Sequence, residues 1–283
     1  MKVLKNLSRT SKIIAGLKKK GKIVGFVPTM GYLHPGHLSL VHAAQRDCDV
    51  VVLSIYINPV QFGPHEDFAK YPRDLTRDLR LARMAGVDIV FLPHDTAIYP
   101  PGYLTYVKVE QITKTLCGAS RPEHFNGVTT IVAKLFNIIQ PDIAYFGQKD
   151  AQQAIVVKKM VYDLNLPVKI KVMPTLRDKD GLAMSSRNIY LSPQGRKDAL
   201  ILNQALFLAK KKIIEGERCA SKIISSIKKL LSSKGSVTID YVQIVDTKVL
   251  RPVETMRGEI LIAIACYIGK TRLIDNIIFA VQK

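Results

Sequence analysis

The sequence contains no tryptophan, no Cys-x-x-Cys pair and far fewer acidic than basic side chains. Its four cysteines are well separated along the chain, so they predict reduced thiols rather than a disulfide framework or a zinc site. No apolar run approaches the ~20 residues that a membrane-spanning helix needs. The first residues, 1–5, lead into polar sequence instead of an apolar segment, which argues against a secretory signal. We therefore expect a cytoplasmic protein with no membrane partner.

The shortage of acidic residues leaves 42 Lys and Arg against 23 Asp and Glu, a formal net charge of +19. A charge of this size suits nucleic-acid binding. However, the lysine clusters at 18–20, 210–212 and 228–229 lie on predicted helix faces, and no basic run is interleaved with aromatic residues. We interpret the excess as a solvated basic surface that steers anionic small molecules, and we expect no nucleic-acid partner.

The 283 residues are enough for one large core or two domains. Through residue 175, β-branched runs typical of strands buried on both faces alternate with helical patterns. This alternation predicts the α/β class, with a Rossmann-like doubly wound parallel sheet. Residues 176–283 change to helices followed by strands, which predicts a smaller α+β domain with an antiparallel sheet. No repeat or low-complexity linker separates the two, so the 175–190 loop is the expected hinge.

Several individual elements are also predicted. Apolar spacing indicates a first helix over 7–20, with Ser8 or Ser11 as its cap, and a second helix that begins near His37. Residues 103–109 alternate as a strand does, and 118–128 is expected to be a loop. Further strands are expected at 49–57, 87–92, 141–147, 168–173, 239–245, 259–267 and 272–279, and further helices at 73–85, 193–215 and 220–231.

The stretch 22–37 combines a strand, a loop broken by proline and glycine, and the start of a helix. Ligands bind at the carboxyl end of such strands, and helix N–H groups there favour an anion. His34 and His37 sit at this place, and Gly36 between them lets the backbone approach a bound group. Such a pair could also be ordinary surface or capping residues. A metal site lacks a third ligand at suitable spacing.

Three further loops at predicted strand ends carry polar side chains of ligand-binding types. They hold Asn58 and Gln61; Gln148, Lys149 and Asp150; and Ser185, Ser186 and Arg187. A lysine and an arginine near paired histidines suit a triphosphate, because negative charge develops on pyrophosphate as it departs. Arg121 and His124 form another candidate pair, whose role the sequence leaves open.

The His-x-Gly-His pattern at 34–37 resembles the nucleotidyltransferase superfamily, which includes the class I aminoacyl-tRNA synthetases. Along nearly its whole length the chain also resembles the pantothenate synthetase (pantoate–β-alanine ligase) family. The matching segments are VPTMGYLHPGH at 27–37, IYINPVQFGPHEDFAKYPR at 55–73, GASRPEHFNGV at 118–128, QPDIAYFGQKDAQQ at 140–153, DGLAMSSRNIYLS at 180–192 and RLIDN at 272–276. Pro35 stands where the family often has an acidic residue, and His65 where it often has asparagine. Neither position is assigned to chemistry.

This resemblance implies an ATP-dependent ligase that condenses pantoate with β-alanine through pantoyl adenylate, releasing pyrophosphate and then AMP. The implied ATP-binding residues are Met30, Gly31, Tyr32, Leu33, His34, Pro35, Gly36, His37, Gly147, Gln148, Lys149, Asp150, Leu176, Met184, Ser185, Ser186 and Arg187. Of these, the implied catalytic residues are His37, His34, Lys149, Ser185, Ser186 and Arg187. The implied contacts to pantoate and β-alanine are Asn58, Gln61 and Gln153.

The same resemblance implies that 184–187 close over the phosphates, like the mobile Lys-Met-Ser-Lys-Ser loop of the synthetases. It further implies Mg²⁺ on the phosphates, with no protein ligand assigned, and a homodimer. Two other functions stay open at this point. One is a different adenylate-forming or nucleotidyl-transferring enzyme of the superfamily, including one that acts on RNA. The other is a non-catalytic nucleotide-binding module.

Overall fold

The computed structural model describes residues 1–64 and 66–282; His65, noted above, lies outside the described residues. Within that part the strands are β1 (Lys2–Leu4), β2 (Val24–Thr29), β3 (Val50–Ile55), β4 (Ile89–Phe91), β5 (Ile143–Gly147), β6 (Lys169–Met173), β7 (Val237–Asp246), β8 (Gly258–Ile268) and β9 (Thr271–Val281). The helices are α1 (Leu7–Lys19), α2 (Pro35–Asp47), α3 (Leu75–Met84), α4 (Asp95–Ile98), α5 (Cys117–Ser120), α6 (His124–Ile139), α7 (Ala151–Asp163), α8 (Pro193–Ile214) and α9 (Ala220–Leu231). None of these helices is both long enough and apolar enough to cross a membrane.

Six strands form a parallel sheet in the order β1-β4-β3-β2-β5-β6. Every residue of β3, and all but one of β2, is buried, as their apolar runs predict. The strand order runs β4-β3-β2 on one side and β5-β6 on the other, so it reverses between β2 and β5. Parallel sheets of this kind bind ligands beside the carboxyl ends of the strands at such a reversal. The predicted α/β fold is confirmed.

The carboxyl-terminal part contains an antiparallel sheet in the order β7-β8-β9. Apolar side chains of α8 and α9, including Leu202 and Ile223, share a buried core with β8 residues such as Ile262. Ser192 caps α8, because its Oγ accepts a hydrogen bond of 3.0 Å from the Gly195 N–H. The predicted α+β arrangement and the cap of this helix are both confirmed.

The chain divides into two compact units. The first comprises residues 1–109, 123–148 and 156–174, and the second comprises 110–122, 149–155 and the chain from 175 onward. The first unit therefore contains the six-stranded sheet, whereas the second contains the three-stranded sheet and the segments on either side of α5. The boundary at 175/176 and the hinge at 175–190 stay predictions.

The predicted strand at 103–109 is wrong. The segment has no strand partner in the described chain, and side chains of α6 bond to its backbone instead. The Val107 N–H donates to Thr130 Oγ1 at 3.0 Å, and Thr129 Oγ1 donates to the Val107 carbonyl at 2.5 Å. Alternation of apolar residues thus reflects one face packed on a helix, since threonine hydroxyls replace the hydrogen bonds of a neighbouring strand.

The predicted cap of α1 is also wrong, because Asn6 accepts the Arg9 N–H at 2.9 Å while Ser11 donates to the Ile138 carbonyl. Asparagine is as good a cap as serine, and only the position decided between them. The three-residue strand β1 was not predicted: Lys2 and Val3 are exposed at the sheet edge.

Two helix starts also differ from the predictions. The second helix, α2, begins at Pro35, two residues before the expected start, because His34 caps it. The expected loop at 118–128 is helical at both ends, with α5 ending at Ser120 and α6 starting at His124. Gly118 lies in α5, and Asn126 and Gly127 lie in the first turn of α6, so these residues are helical despite their preference for turns.

Candidate active site

His34 and His37 form the amino-terminal cap of α2 with their imidazole rings. His34 Nδ1 accepts a hydrogen bond of 3.1 Å from the Gly36 N–H, and His37 Nδ1 accepts one of 3.4 Å from the His34 N–H. The rings stack with their centroids 3.9 Å apart. Because both Nδ1 lone pairs accept backbone hydrogens, a neutral ring at either position carries its proton on Nε2. Both side chains are therefore Nε2–H donors at a helix terminus that favours anions.

Asp78, which sequence reasoning missed, holds the turn that leads to His34. Its carboxylate is 2% exposed and accepts the N–H groups of Tyr32 and Leu33, both at 2.7 Å. Burial raises the pKa of Asp78, and the two N–H groups counteract that rise. Gly31 has φ +80°, and a Cβ there would lie 2.9 Å from Asp78 Oδ2. The turn therefore requires both the glycine and the acid.

A signal for Asp78 was available in the sequence. It stands four residues before Ala82 and seven before Ala85, which are both buried, so it lies on the apolar face of α3. A carboxylate at such a position is buried, and a buried carboxylate needs hydrogen-bond donors. Its position therefore indicated a structural role, but not that the donors would be the backbone of the 30–33 turn.

Asn58 and Gln61 lie shortly after β3, and their side-chain amides are hydrogen-bonded to each other. Gln61 Nε2 lies 3.0 Å from Met30 Sδ, so the structure brings these two predicted ligand contacts together. Asn58 Nδ2 donates to Gln61 Oε1 at 3.3 Å and to the Gly127 carbonyl at 3.0 Å, and its Oδ1 accepts the Tyr99 hydroxyl at 2.9 Å. Both amide hydrogens of Asn58 are thus used inside the protein, and this side chain holds Gln61 in place.

The start of α6 packs on the backbone of Gln61. His124 Nδ1 is hydrogen-bonded to the Gln61 carbonyl at 2.9 Å. A Cβ at Gly127 would lie only 2.6 Å from the N and Cα atoms of Gln61 and from the Val60 carbonyl carbon. Only glycine permits this approach. The sequence left the role of His124 open, and the structure gives it a contact with Gln61. Arg121 lies in the other unit, with Nη1 3.9 Å from Cys117 Sγ.

In the second unit, Lys149 and Asp150 lie in a 3₁₀ turn directly before α7. Lys149 Nζ is 3.5 Å from Asp150 Oδ1. The carbonyl of Lys149 accepts a hydrogen bond of 2.8 Å from Asn276 Nδ2. Gln153 is half-buried in the first turn of α7. The backbone of the turn is thus tied to strand β9 through Asn276.

Residues 176–184 form a short hairpin in the same unit. Arg177 and Ala183 face each other in an antiparallel bridge, and the Met184 N–H donates to the Leu176 carbonyl at 3.0 Å. The chain then enters a 3₁₀ turn that Ser185 caps, its Oγ accepting the Arg187 N–H at 3.3 Å. The hairpin thus leads directly into the serine and arginine residues expected at the phosphates.

The predicted site residues divide between the two units. The first unit holds Met30, Gly31, Tyr32, Leu33, His34, Pro35, Gly36, His37, Asn58, Gln61, Gly147 and Gln148. The second holds Lys149, Asp150, Gln153, Leu176, Met184, Ser185, Ser186 and Arg187. The Leu33 side chain is fully buried in the core of the first unit, so only its backbone can face a ligand.

Comparison with known proteins gives a consistent result. The family model described as pantoate-beta-alanine ligase matches residues 2–278. The pantothenate synthetase of Moorella thermoacetica is 53% identical over 282 residues, covering 100% of both chains, and that of Heliobacterium modesticaldum is 57% identical over 263 residues, covering 93% of this chain and 94% of the relative.

Solved structures agree with these sequence matches. The crystal structure of pantothenate synthetase from Thermus thermophilus is 43% identical, with a TM-score of 0.93, over 98% of this chain and 99% of the other. The structure of pantoate-beta-alanine ligase from Francisella tularensis, complexed with beta-gamma ATP and beta-alanine, is 34% identical, with a TM-score of 0.80, over 100% of this chain and 98% of the other. The chain belongs to the pantoate–β-alanine ligase family.

Proposed function

We infer that the chain is a carbon–nitrogen ligase that uses ATP to join pantoate to β-alanine, forming pantothenate, AMP and pyrophosphate. The family match along residues 2–278 carries this conclusion. The histidine pair that caps α2 supports it, because a triphosphate needs hydrogen-bond donors and the start of a helix favours an anion. A free carboxylate is a poor acyl donor, since oxide does not leave, and ATP supplies a better leaving group.

In the proposed first step, a pantoate carboxylate oxygen forms a bond to the α-phosphorus of ATP, and the bond from that phosphorus to the pyrophosphate oxygen breaks. The products are pantoyl adenylate and pyrophosphate. Anions approach each other in this step, so the protein must supply positive charge and hydrogen-bond donors. We assign His34 and His37 as Nε2–H donors to phosphoryl oxygens, with Gly31, Tyr32, Pro35 and Gly36 lining the same ATP-binding turn.

Residues of the second unit are proposed to bind the nucleotide as well. Lys149 and Arg187 would neutralise phosphate charge, and Ser185 and Ser186 would donate to phosphate oxygens. Asp150 is assigned to the ribose. The remaining proposed nucleotide contacts are Met30, Leu33 through its backbone, Gly147, Gln148, Leu176 and Met184.

In the second step, the β-alanine amine attacks the acyl carbon of the adenylate. A carbon–nitrogen bond forms, the bond from that carbon to the AMP oxygen breaks, and the amine loses a proton. Gln61 and Gln153 are the proposed contacts to pantoate, with Gln61 also near the amine. Asn58 is proposed to act on the substrate through Gln61, since its own amide hydrogens already bond to Gln61 and Gly127.

Magnesium is proposed to arrive with ATP, because phosphate oxygens and water are ligands that it prefers. Within residues 1–64 and 66–282, no three His, Cys, Asp or Glu side chains are grouped as metal ligands. A homodimer and a cytoplasmic location are also proposed, both from the family resemblance. Sedimentation at several protein concentrations tests the dimer: a single species with the mass of one chain would contradict it.

The proposed function is tested by incubating the protein with MgATP, pantoate and β-alanine and measuring pantothenate by mass spectrometry. We expect formation that requires all three substrates. Turnover of another carboxylate or of RNA, with pantoate inert, would instead assign a different adenylate-forming enzyme of the superfamily. ATP binding without any product would assign a non-catalytic nucleotide-binding module.

A further inference from the structure

Two adjacent polar residues interrupt the apolar sequence of β9. Asp275 and Asn276 are 3% and 4% exposed, although β9 is an edge strand of its sheet. A buried carboxylate and a buried amide are costly unless they are hydrogen-bonded. The hydrogen-bond partners of Asp275 and Asn276 therefore indicate the role of this pair.

Asp275 forms an ion pair with Arg177, which lies at the base of the 176–184 hairpin. Its two carboxylate oxygens accept Arg177 Nη1 at 2.6 Å and Nη2 at 2.9 Å, a bidentate pair. Arg177 Nη1 also donates to the Gly181 carbonyl at 3.2 Å, which closes the hairpin on itself. The pair fixes the first arm of the hairpin, because paired guanidinium and carboxylate planes allow little rotation, and the Arg177–Ala183 bridge joins that arm to the one that continues into Met184 and Ser185.

The neighbouring Asn276 bonds to the other phosphate-binding segment of the same unit. Its Nδ2 donates to the Lys149 carbonyl at 2.8 Å, and its own N–H donates to Asp275 Oδ1 at 2.8 Å. Lys149 and the hairpin are far apart in sequence. Two consecutive residues of one strand nevertheless hold both.

A second brace lies at the tip of the hairpin. Arg196, in the first turns of α8, donates through Nη2 to Asp178 and Asp180, both at 2.8 Å, and through Nε to Asp180 at 3.1 Å. These bonds are more exposed than the Arg177–Asp275 pair. They hold the tip, whereas Asp275 holds the base.

We propose that Asp275 and Asn276 are positioning residues that hold Lys149 and the Ser185–Arg187 turn in one fixed arrangement for ATP phosphates. This inference rests on the proposed function, which assigns those residues to the phosphates. A flexible hairpin would have to be ordered each time ATP binds, and that ordering costs conformational entropy. The brace from β9 removes this cost before ATP arrives.

The primary test is Asp275→Asn, compared with Glu259→Gln. The control makes the same change from acid to amide on an exposed side chain of β8, in the same sheet. We expect Asp275→Asn to reduce kcat/KM for ATP in pantoate-dependent pyrophosphate release by about 10–100-fold, since displacements of about 1 Å can have that effect. The KM for β-alanine should stay within about three-fold, and the control should match wild type.

A local readout separates loss of the brace from general destabilisation. Trypsin cleaves after lysine and arginine, and Lys179 is exposed at the hairpin tip. We expect Asp275→Asn to be cut there several times faster than wild type and Glu259→Gln, with added MgATP restoring protection. Arg177→Gln should behave like Asp275→Asn, and the double variant should be little worse than either single variant, because both remove the same pair.

The outcomes separate the inference from the function that it rests on. If wild type releases no pyrophosphate, the proposed function is wrong and the positioning role falls with it. If wild type is active and Asp275→Asn has an unchanged ATP dependence and cleavage rate, the positioning role alone is overturned. Should Asp275→Asn not fold, Asn276→Ala is measured in the same way; a normal kcat/KM for ATP in that variant would equally overturn the proposal.

Discussion

The imidazoles of His34 and His37 are tied to one another through the helix that they cap: His37 Nδ1 accepts the His34 N–H, and the two rings stack 3.9 Å apart. A capping box usually employs a serine or threonine hydroxyl and a glutamate carboxylate. Imidazole performs the same task with Nδ1 and still carries a hydrogen on Nε2. One pair of side chains thus caps the helix and leaves an Nε2–H group on each ring for the proposed contacts to phosphate.

Replacing His37 by alanine tests its assigned role as a donor to the phosphates. We expect His37→Ala to fold and to lose about 10²–10⁴-fold in pantoate-dependent pyrophosphate release, as enzymes do when an acid/base or oxyanion-type group is removed. His42→Ala is the matched control, because His42 is exposed on the same helix. Near-normal turnover in His37→Ala, measured under saturating substrates, would remove His37 from the mechanism.

Two substitutions separate the capping role of His34 from its proposed role as a donor to phosphate. Asparagine is a good helix cap, so His34→Asn should keep the melting temperature near that of wild type, whereas His34→Ala should lose about 1 kcal/mol of stability. Both variants lack the Nε2–H group, and both should therefore lose most of their pyrophosphate release. Full activity in His34→Asn would show that capping, rather than donation to phosphate, is what the reaction needs.

Asp78 gives a prediction about pH. Burial raises its pKa in the folded protein above the unfolded value, so the folded state binds more protons between those two values. The contribution of Asp78 to stability therefore declines as the pH rises through this window. Asp78→Asn does not titrate, so its free energy of unfolding relative to wild type should increase with pH from about pH 4 upward.

Urea unfolding across a pH series measures this difference, with Asp163→Asn as a control for an exposed carboxylate of the same unit. Parallel pH profiles for Asp78→Asn and wild type would contradict the buried-acid explanation. Activity should fall in Asp78→Asn at every pH, because an asparagine oxygen in place of the carboxylate can satisfy only one of the Tyr32 and Leu33 N–H groups.

Substitution of Gly127 by alanine tests the importance of the close approach of α6 to Gln61. A methyl group there would overlap the backbone of Gln61, so Gly127→Ala should cost about 1–3 kcal/mol and raise the KM for pantoate. Gly16→Ala is the opposite case, since no atom lies within 4 Å of the added Cβ, and it should stabilise α1 by about 0.5–1 kcal/mol. Thermal unfolding and pantoate titrations distinguish them. A stable Gly127→Ala with normal pantoate dependence would contradict the account.

The sequence predicted the parts of the fold that depend on local pattern. Residues 50–55 are apolar except for Ser54 because both faces of this strand are buried, and such a pattern is visible without a structure. The 103–109 segment has the alternating pattern of a strand, but the hydrogen bonds of its Val107 backbone go to Thr129 and Thr130 on α6. Which group forms a hydrogen bond with the backbone depends on the tertiary structure, and alternation in the sequence does not predict it.

The site shows a similar limit. His34, His37 and Lys149 could be proposed from the sequence because their residue types match a motif, whereas Asp78 and Asn276 bind backbone groups of other residues. An acid or amide that holds a turn has no characteristic spacing from that turn in sequence. Its only signal is a polar residue at an apolar position of a helix or strand, and that signal does not name the partner.

The proposed two-step reaction is best tested by measuring adenylation in the absence of β-alanine. The protein is mixed with MgATP and pantoate alone, pyrophosphate is measured, and β-alanine is then added while AMP is measured. We predict pantoate-dependent pyrophosphate without AMP, up to about one equivalent per site, followed by AMP on addition of the amine. Pyrophosphate that appears only when β-alanine is present, or AMP that appears without it, would contradict the two-step reaction.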